Sequence, residues 1–171
     1  MPSTTAAIPA LAAAPDTAPR TPTRYGVNAP GLADVRRRLR TYGSVGIART
    51  FYGGMLPSTW NKNMEGASPD RQTQVSFKTS PAALAAGHHD RALRSWMESI
   101  PSGWRVYLTF WHEPNDELRN GAFSGREYRR AWARLSKIRR SQVNLRRGVR
   151  LSLVPVFMSY LVGKKTGWSD G

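Results

Sequence analysis

From residue 25 onward the chain alternates between two hydrophobic rhythms. VYLTFW at 106–111 is an unbroken run with the length and the β-branched and aromatic content of a buried strand, and VGIARTFY at 45–52 and TQVSFK at 73–78 are further strand candidates. Between them, apolar residues recur three and four apart, the stripe of an amphipathic helix. Leu32, Val35, Leu39 and Tyr42 form one stripe, and Leu93, Trp96, Met97 and Ile100 a second. Tyr128, Trp132, Leu135 and Ile138 form a third. Gly43 is a stop for the first helix and Pro101-Ser102-Gly103 for the second, which starts at His88-His89-Asp90. Ser124 with Glu127 three residues on is a capping box that opens the third. A short strand at 25–31 precedes the first helix. A fifth strand, about 150–158, follows the last, with Pro155 marking its end or a bulge.

Strand and helix therefore alternate, which predicts an α/β fold with a parallel sheet in the order 1-2-3-4-5 and helices outside. No GxGxxG follows the first strand and no phosphate-loop lysine motif occurs, which disfavours a nucleotide-binding sheet. Polar residues instead appear where strands end: Arg49, Lys78 and His112-Glu113. That pattern favours a (β/α) barrel of TIM type, whose sites lie at the carboxyl ends of its strands. The run at 106–111 ends abruptly in His112-Glu113-Pro114-Asn115-Asp116. A carboxylate there is half in protein and half in water, the setting in which a glutamate acts as a proton donor near neutral pH.

Composition narrows the classes. At 171 residues and 40% hydrophobic, the chain is long and apolar enough for one domain with a real core. No run approaches the roughly 18 apolar residues of a membrane helix. The absence of cysteine excludes disulfides, thiolate metal sites and a cysteine nucleophile. The net charge of +15 predicts loose affinity for polyanions, whether nucleic acid or an acidic cell envelope. Basic residues are densest at 126–150, where Glu127 is the only acid. They share a helix with a core face and lack interleaved aromatics for base stacking, so no specific nucleic-acid partner is expected. Residues 1–24, rich in Ala, Pro and Thr and free of aromatics, are expected to be disordered. Ala10-Leu11-Ala12 resembles the small-x-small end of a secretory signal; a plain flexible tail is the alternative.

The segments ARTFY at 48–52, VSFK at 75–78 and LTFWHEPND at 108–116 resemble strands two to four of the retaining glycoside hydrolases built on a (β/α)8 barrel. A Glu-Pro pair closes strand four in that clan, and Trp111-His112-Glu113 is most similar to glycoside hydrolase family 26, the mannanase-type family. The resemblance implies a secreted parent protein that cleaves a β-linked, mannan-like polysaccharide. Glu113 would be its general acid/base, and His112 would orient a neighbouring carboxylate. Arg49, Lys78 and Asn115 would bind sugar hydroxyls, and Trp111 or Trp168 would stack on a pyranose face. No metal or organic cofactor is implied.

The departure is one of length. A (β/α)8 barrel takes about 250 residues, and 25–171 suffices for about five βα units. The family's nucleophile, a second glutamate on strand seven, would then be missing, leaving an incomplete barrel with background hydrolysis. The alternatives are a non-catalytic carbohydrate- or envelope-binding module and, further off, a basic nucleic-acid-binding protein. An open edge on strand five would expose Leu151, Leu153 and Val154 and favour self-association.

Overall fold

The computed structural model describes residues 26–28, 32–43, 46–61, 72–142, 145–146 and 148–158. The tail at 1–24 and Trp168 lie outside the described residues. Five strands, β1 (Gly26–Asn28), β2 (Ile47–Tyr52), β3 (Gln72–Phe77), β4 (Arg105–Phe110) and β5 (Arg150–Leu153), form one sheet in the order β1-β2-β3-β4-β5. Every neighbouring pair is parallel, so the predicted order is the one observed. The helices are α1 (Leu32–Tyr42), α2 (Pro81–Ala86), α3 (Asp90–Ser99), α4 (Asn115–Arg119) and α5 (Gly125–Arg140). None is long and apolar enough to cross a membrane.

Side chains alternate along a strand, so register sorts the sheet into two faces. Val75 lies opposite Leu108 and Phe77 opposite Phe110; Leu153 continues the first row onto β5, and Leu151 lies opposite Val106 on the same face. These residues share one core cluster with Leu84 of α2, Trp96 of α3 and Leu135 of α5. Val35 of α1 closes on Ala48 of β2, with Val27 beside it. Consecutive parallel strands joined by right-handed crossovers place their helices on one side, which these contacts reflect.

The opposite face is polar. Arg49, Gln74 and Tyr107 lie in one row and Phe51, Ser76 and Thr109 in the next. Gln74 donates from Nε2 to Thr109 Oγ1 at 3.1 Å. The run at 106–111 is therefore apolar towards the helices and mixed on its other side, where Tyr107 is half-buried and Thr109 fully buried.

Three elements depart from expectation. The helix α2, PAALAA, has no stripe of large apolar residues, yet Ser80 caps it from the Ala83 N–H, Pro81 opens it and Gly87 closes it. The strand β5 stops at Leu153; Val154 N still donates to Leu108 O, and Pro155, which has no N–H, ends the ladder. Leu151 is not exposed as the open-edge argument required. It is 5% exposed, in one core cluster with Leu135 and Ile138 of α5, and Arg139 Nε donates to its carbonyl at 2.9 Å. Tyr42, placed in the first apolar stripe, is 68% exposed at the end of α1.

The closing turn of α2 also anchors α3 to α5. Gly87 has φ +90°, and a Cβ there would come within 2.7 Å of Arg134 Nη2, whose guanidinium pairs with Asp90. Gly87→Ala is expected to destabilise the protein by about 1–3 kcal/mol, through left-handed strain and displacement of that ion pair. Gly53→Ala, with nothing within 4 Å of its Cβ position, should stay within about 0.5 kcal/mol. Urea denaturation of both variants checks the difference, and equal midpoints would remove the role given to Gly87.

Candidate active site at the end of the fourth strand

In parallel α/β sheets the carboxyl ends of the strands are where ligands meet several loops at once. Here β3 and β4 bring Lys78 and the 111–113 turn to that edge, while Arg49, expected at a strand end, sits at the third of six positions in β2 and reaches up the polar face to Ser76. The turn is strained. Trp111 has φ 45° and Glu113 φ 54°, two non-glycine residues in the left-handed region on either side of His112. Each costs about 1–2 kcal/mol relative to ordinary backbone, and a bulky tryptophan is rarely found there.

Contacts from three directions hold that geometry. Trp111 N donates to Phe77 O at 2.8 Å, tying the turn to β3. Tyr128 of α5 donates its hydroxyl to Trp111 O at 3.3 Å. Glu113 N donates to Val156 O at 2.7 Å, and Asn115 Oδ1 accepts from Met158 N at 3.2 Å, so the segment after β5 braces the turn twice. Asn115, expected to meet sugar, is 5% exposed, with its side-chain carbonyl committed to the chain.

Two stacks of side chains flank Glu113. In the first, the Arg49 guanidinium lies 4.3 Å from the Phe51 ring centroid, and Phe51 meets the His112 ring edge-on at 4.8 Å. Arg49 Nη2 reaches Ser76 Oγ at 3.4 Å, a long contact. Arg49 Nε and His112 Nδ1 are buried with no hydrogen-bond partner among the described residues. In the second, Lys78 Nζ sits 5.1 Å from the Trp111 ring centroid and 3.2 Å from Glu117 Oε1. Lys78, expected to bind sugar hydroxyls, forms an ion pair with Glu117.

These charges act on one another. Burial first, then the Lys78 and Arg49 cations, hold the His112 imidazole below its ordinary pKa, outweighing Glu113 and Glu117. Burial also lowers Arg49, and the Glu113 carboxylate opposes it, so that carboxylate and this guanidinium feel each other. For Glu117, burial pushes the pKa up. A backbone hydrogen bond and the hydrogen bond from Lys78 outweigh it and leave the group below its usual range. The Trp111 indole N–H biases Glu117 in the same direction from outside hydrogen-bonding geometry.

The fold thus gathers Arg49, Lys78, Trp111, His112 and Glu113 at one edge, while Trp168 lies outside the described residues. Sequence reasoning missed Phe51 and Glu117 as members. Phe51 follows Arg49 by two on the same strand face, a signal that was present. Glu117 is joined to Lys78 across 39 positions, which no local pattern shows. No group of three or more His, Asp or Glu residues among the described residues is placed to hold a metal.

The other described carboxylates are engaged elsewhere. Asp34 pairs with Arg37, Asp90 with Arg134, and Asp116 with Arg119. Glu98 accepts from Gln142, and Glu127 caps α5 at Ser124. No protein-family model, curated protein or solved structure matches the chain.

The His112 shift has a consequence for stability. With its folded pKa below the unfolded value near 6.5, the unfolded chain binds the extra proton first as pH falls. This stability is fully present above about pH 6.5 and is lost as pH falls towards the folded value. His112→Gln should therefore flatten the rise in denaturation midpoint between pH 5 and 7. An unchanged slope would show that His112 is as free in the folded protein as in the unfolded one.

Proposed function

We propose that the carboxyl edge of this sheet is one wall of a glycoside hydrolase site, with Glu113 as the proton donor to a departing sugar oxygen. The observation that carries the reading is the pair of left-handed residues flanking His112. Backbone strain is retained there, braced by β3, α5 and the segment after β5, at the carboxylate the motif singles out. The Trp111-His112-Glu113 resemblance to the mannanase-type family gives the substrate class, a β-linked mannan-like polysaccharide. Arg49 and Lys78 line the edge towards sugar hydroxyls, and Trp111, with Lys78 on its face, is the pyranose platform.

The larger architecture proposed is an arc of a (β/α) barrel. Two features favour it: a strand order that never reverses, and helices packed on one face. Retaining hydrolysis needs a second carboxylate about 5 Å from the acid. With the other described carboxylates engaged elsewhere, an added nucleophile is the means of isolating the role of Glu113.

The test supplies azide with phenyl β-mannoside, whose poor leaving group needs a proton. Azide forms the C1–N bond as the C1–O bond breaks, and the Glu113 proton passes to the phenolic oxygen. Glu113→Gln should lower this azide-dependent rate by about 10²–10⁴-fold. It should have far less effect with the 2,4-dinitrophenyl glycoside, which leaves without a proton. Equal phenyl mannoside rates in both proteins would remove Glu113 from the mechanism. Turnover that needs Glu113 but not azide would place the second carboxylate within this chain.

A further inference from the structure

The helix-covered side of the sheet carries a second feature, independent of the strand-end site. A groove of about 640 Å³ runs between α2 and α5. Four alanines line it, Ala82, Ala85 and Ala86 from α2 and Ala133 from α5. The charged lining comes from α5 alone: Arg130, Arg134 and Lys137, with Glu127 at one end.

The charges along this groove are unevenly compensated. Glu127 Oε2 accepts from both the Ser124 N–H at 2.7 Å and the Ser124 hydroxyl at 2.8 Å, so its charge serves the start of α5. Arg134 is held by both oxygens of Asp90. Arg130 and Lys137 are exposed and pair with no carboxylate among the described residues. They stand seven residues apart, about 10 Å along the helix, with Arg134 between them. The result is a cationic rail beside a strip of methyl groups.

We propose that this groove binds an anionic polysaccharide, a chain bearing carboxylates at regular intervals. The rail meets the carboxylates, and the alanine methyls meet the C–H faces of the sugar rings. The lining favours this occupant over single-stranded nucleic acid because it includes no aromatic side chain on which a base would stack. It also localises a charge that would otherwise be a diffuse property of a +15 chain.

Polygalacturonate is the probe, titrated against the whole chain at several salt concentrations, with neutral β-mannan and single-stranded and duplex DNA as comparators. Arg130→Gln with Lys137→Gln should weaken polygalacturonate binding about tenfold or more. It should also reduce the salt slope by roughly 1–2, as expected for two lost ionic contacts. The control, Arg36→Gln with Arg40→Gln, removes the same charge from exposed positions on α1 and should change binding less than about twofold. All four positions are exposed, so unchanged denaturation midpoints are expected and will confirm intact folds. Equal losses in the two double variants, or no polygalacturonate binding, would overturn the proposal. Tighter DNA binding that depends on Arg130 and Lys137 would assign the groove to nucleic acid instead.

Discussion

Register between β3 and β4 is the constraint on which the rest of the structure depends. Six rungs align Gln72 with Arg105 through Phe77 with Phe110, and the two phenylalanine rings lie 5.5 Å apart, both fully buried. A slip of β3 by one residue would turn Val75 and Phe77 away from the helices and bring Ser76 into the core. Two large apolar side chains, each worth about 1.5–3 kcal/mol when buried, oppose that slip. The same rungs set how far each strand runs before it ends. Lys78 therefore emerges beside Trp111, and Trp111 N finds Phe77 O.

The 111–113 turn relies on that rigidity. Two left-handed residues would relax to ordinary backbone if only local contacts held them. The restraints instead come from residues distant in sequence: Phe77, Tyr128, Val156 and Met158. Strain of this kind persists only in a frame that would lose more by moving. The frame here is the aromatic cluster of Phe110, Phe123 and Tyr128 beneath Trp111. Packing and presentation of Glu113 are therefore coupled, and a core change at Phe110 or Tyr128 would reach the carboxylate without touching it.

What the sequence revealed follows from how local each signal is. Strand order and helix stripes depend on periodicity over ten or so residues, and β2 to β4, α1 and the Ser124–Glu127 cap were legible for that reason. The helix α2 was not, because alanines bury little and carry no stripe of large apolar residues. Lys78 and Glu113 were legible as polar residues just past strand ends, whereas Arg49, expected at a strand end, is the third of six residues in β2. Their partners were not: the Lys78–Glu117 pair and the Asn115–Met158 brace join residues about 40 apart, and backbone handedness at Trp111 leaves no trace in side-chain pattern. Leu151 shows the converse. Its strand-edge position was inferred correctly, but its exposure depended on the core cluster it joins.

The charge distribution separates two kinds of cation that composition alone merges into one number. At the strand ends each cation acts on a carboxylate or an aromatic ring: Arg49 on Glu113 and Phe51, Lys78 on Glu117 and Trp111. These interactions are half-buried and short, so salt screens them little. On α5, Arg130 and Lys137 project into solvent without such partners, and fields of that kind fall off within about 10 Å at 0.1 M salt. Among the described residues, the strand-end cations are thus each matched by a carboxylate. The outer helical surface carries the excess positive charge and so dominates the long-range attraction of any polyanion. Ionic strength would therefore govern encounter at the outer face while leaving the chemistry at the strand ends almost untouched.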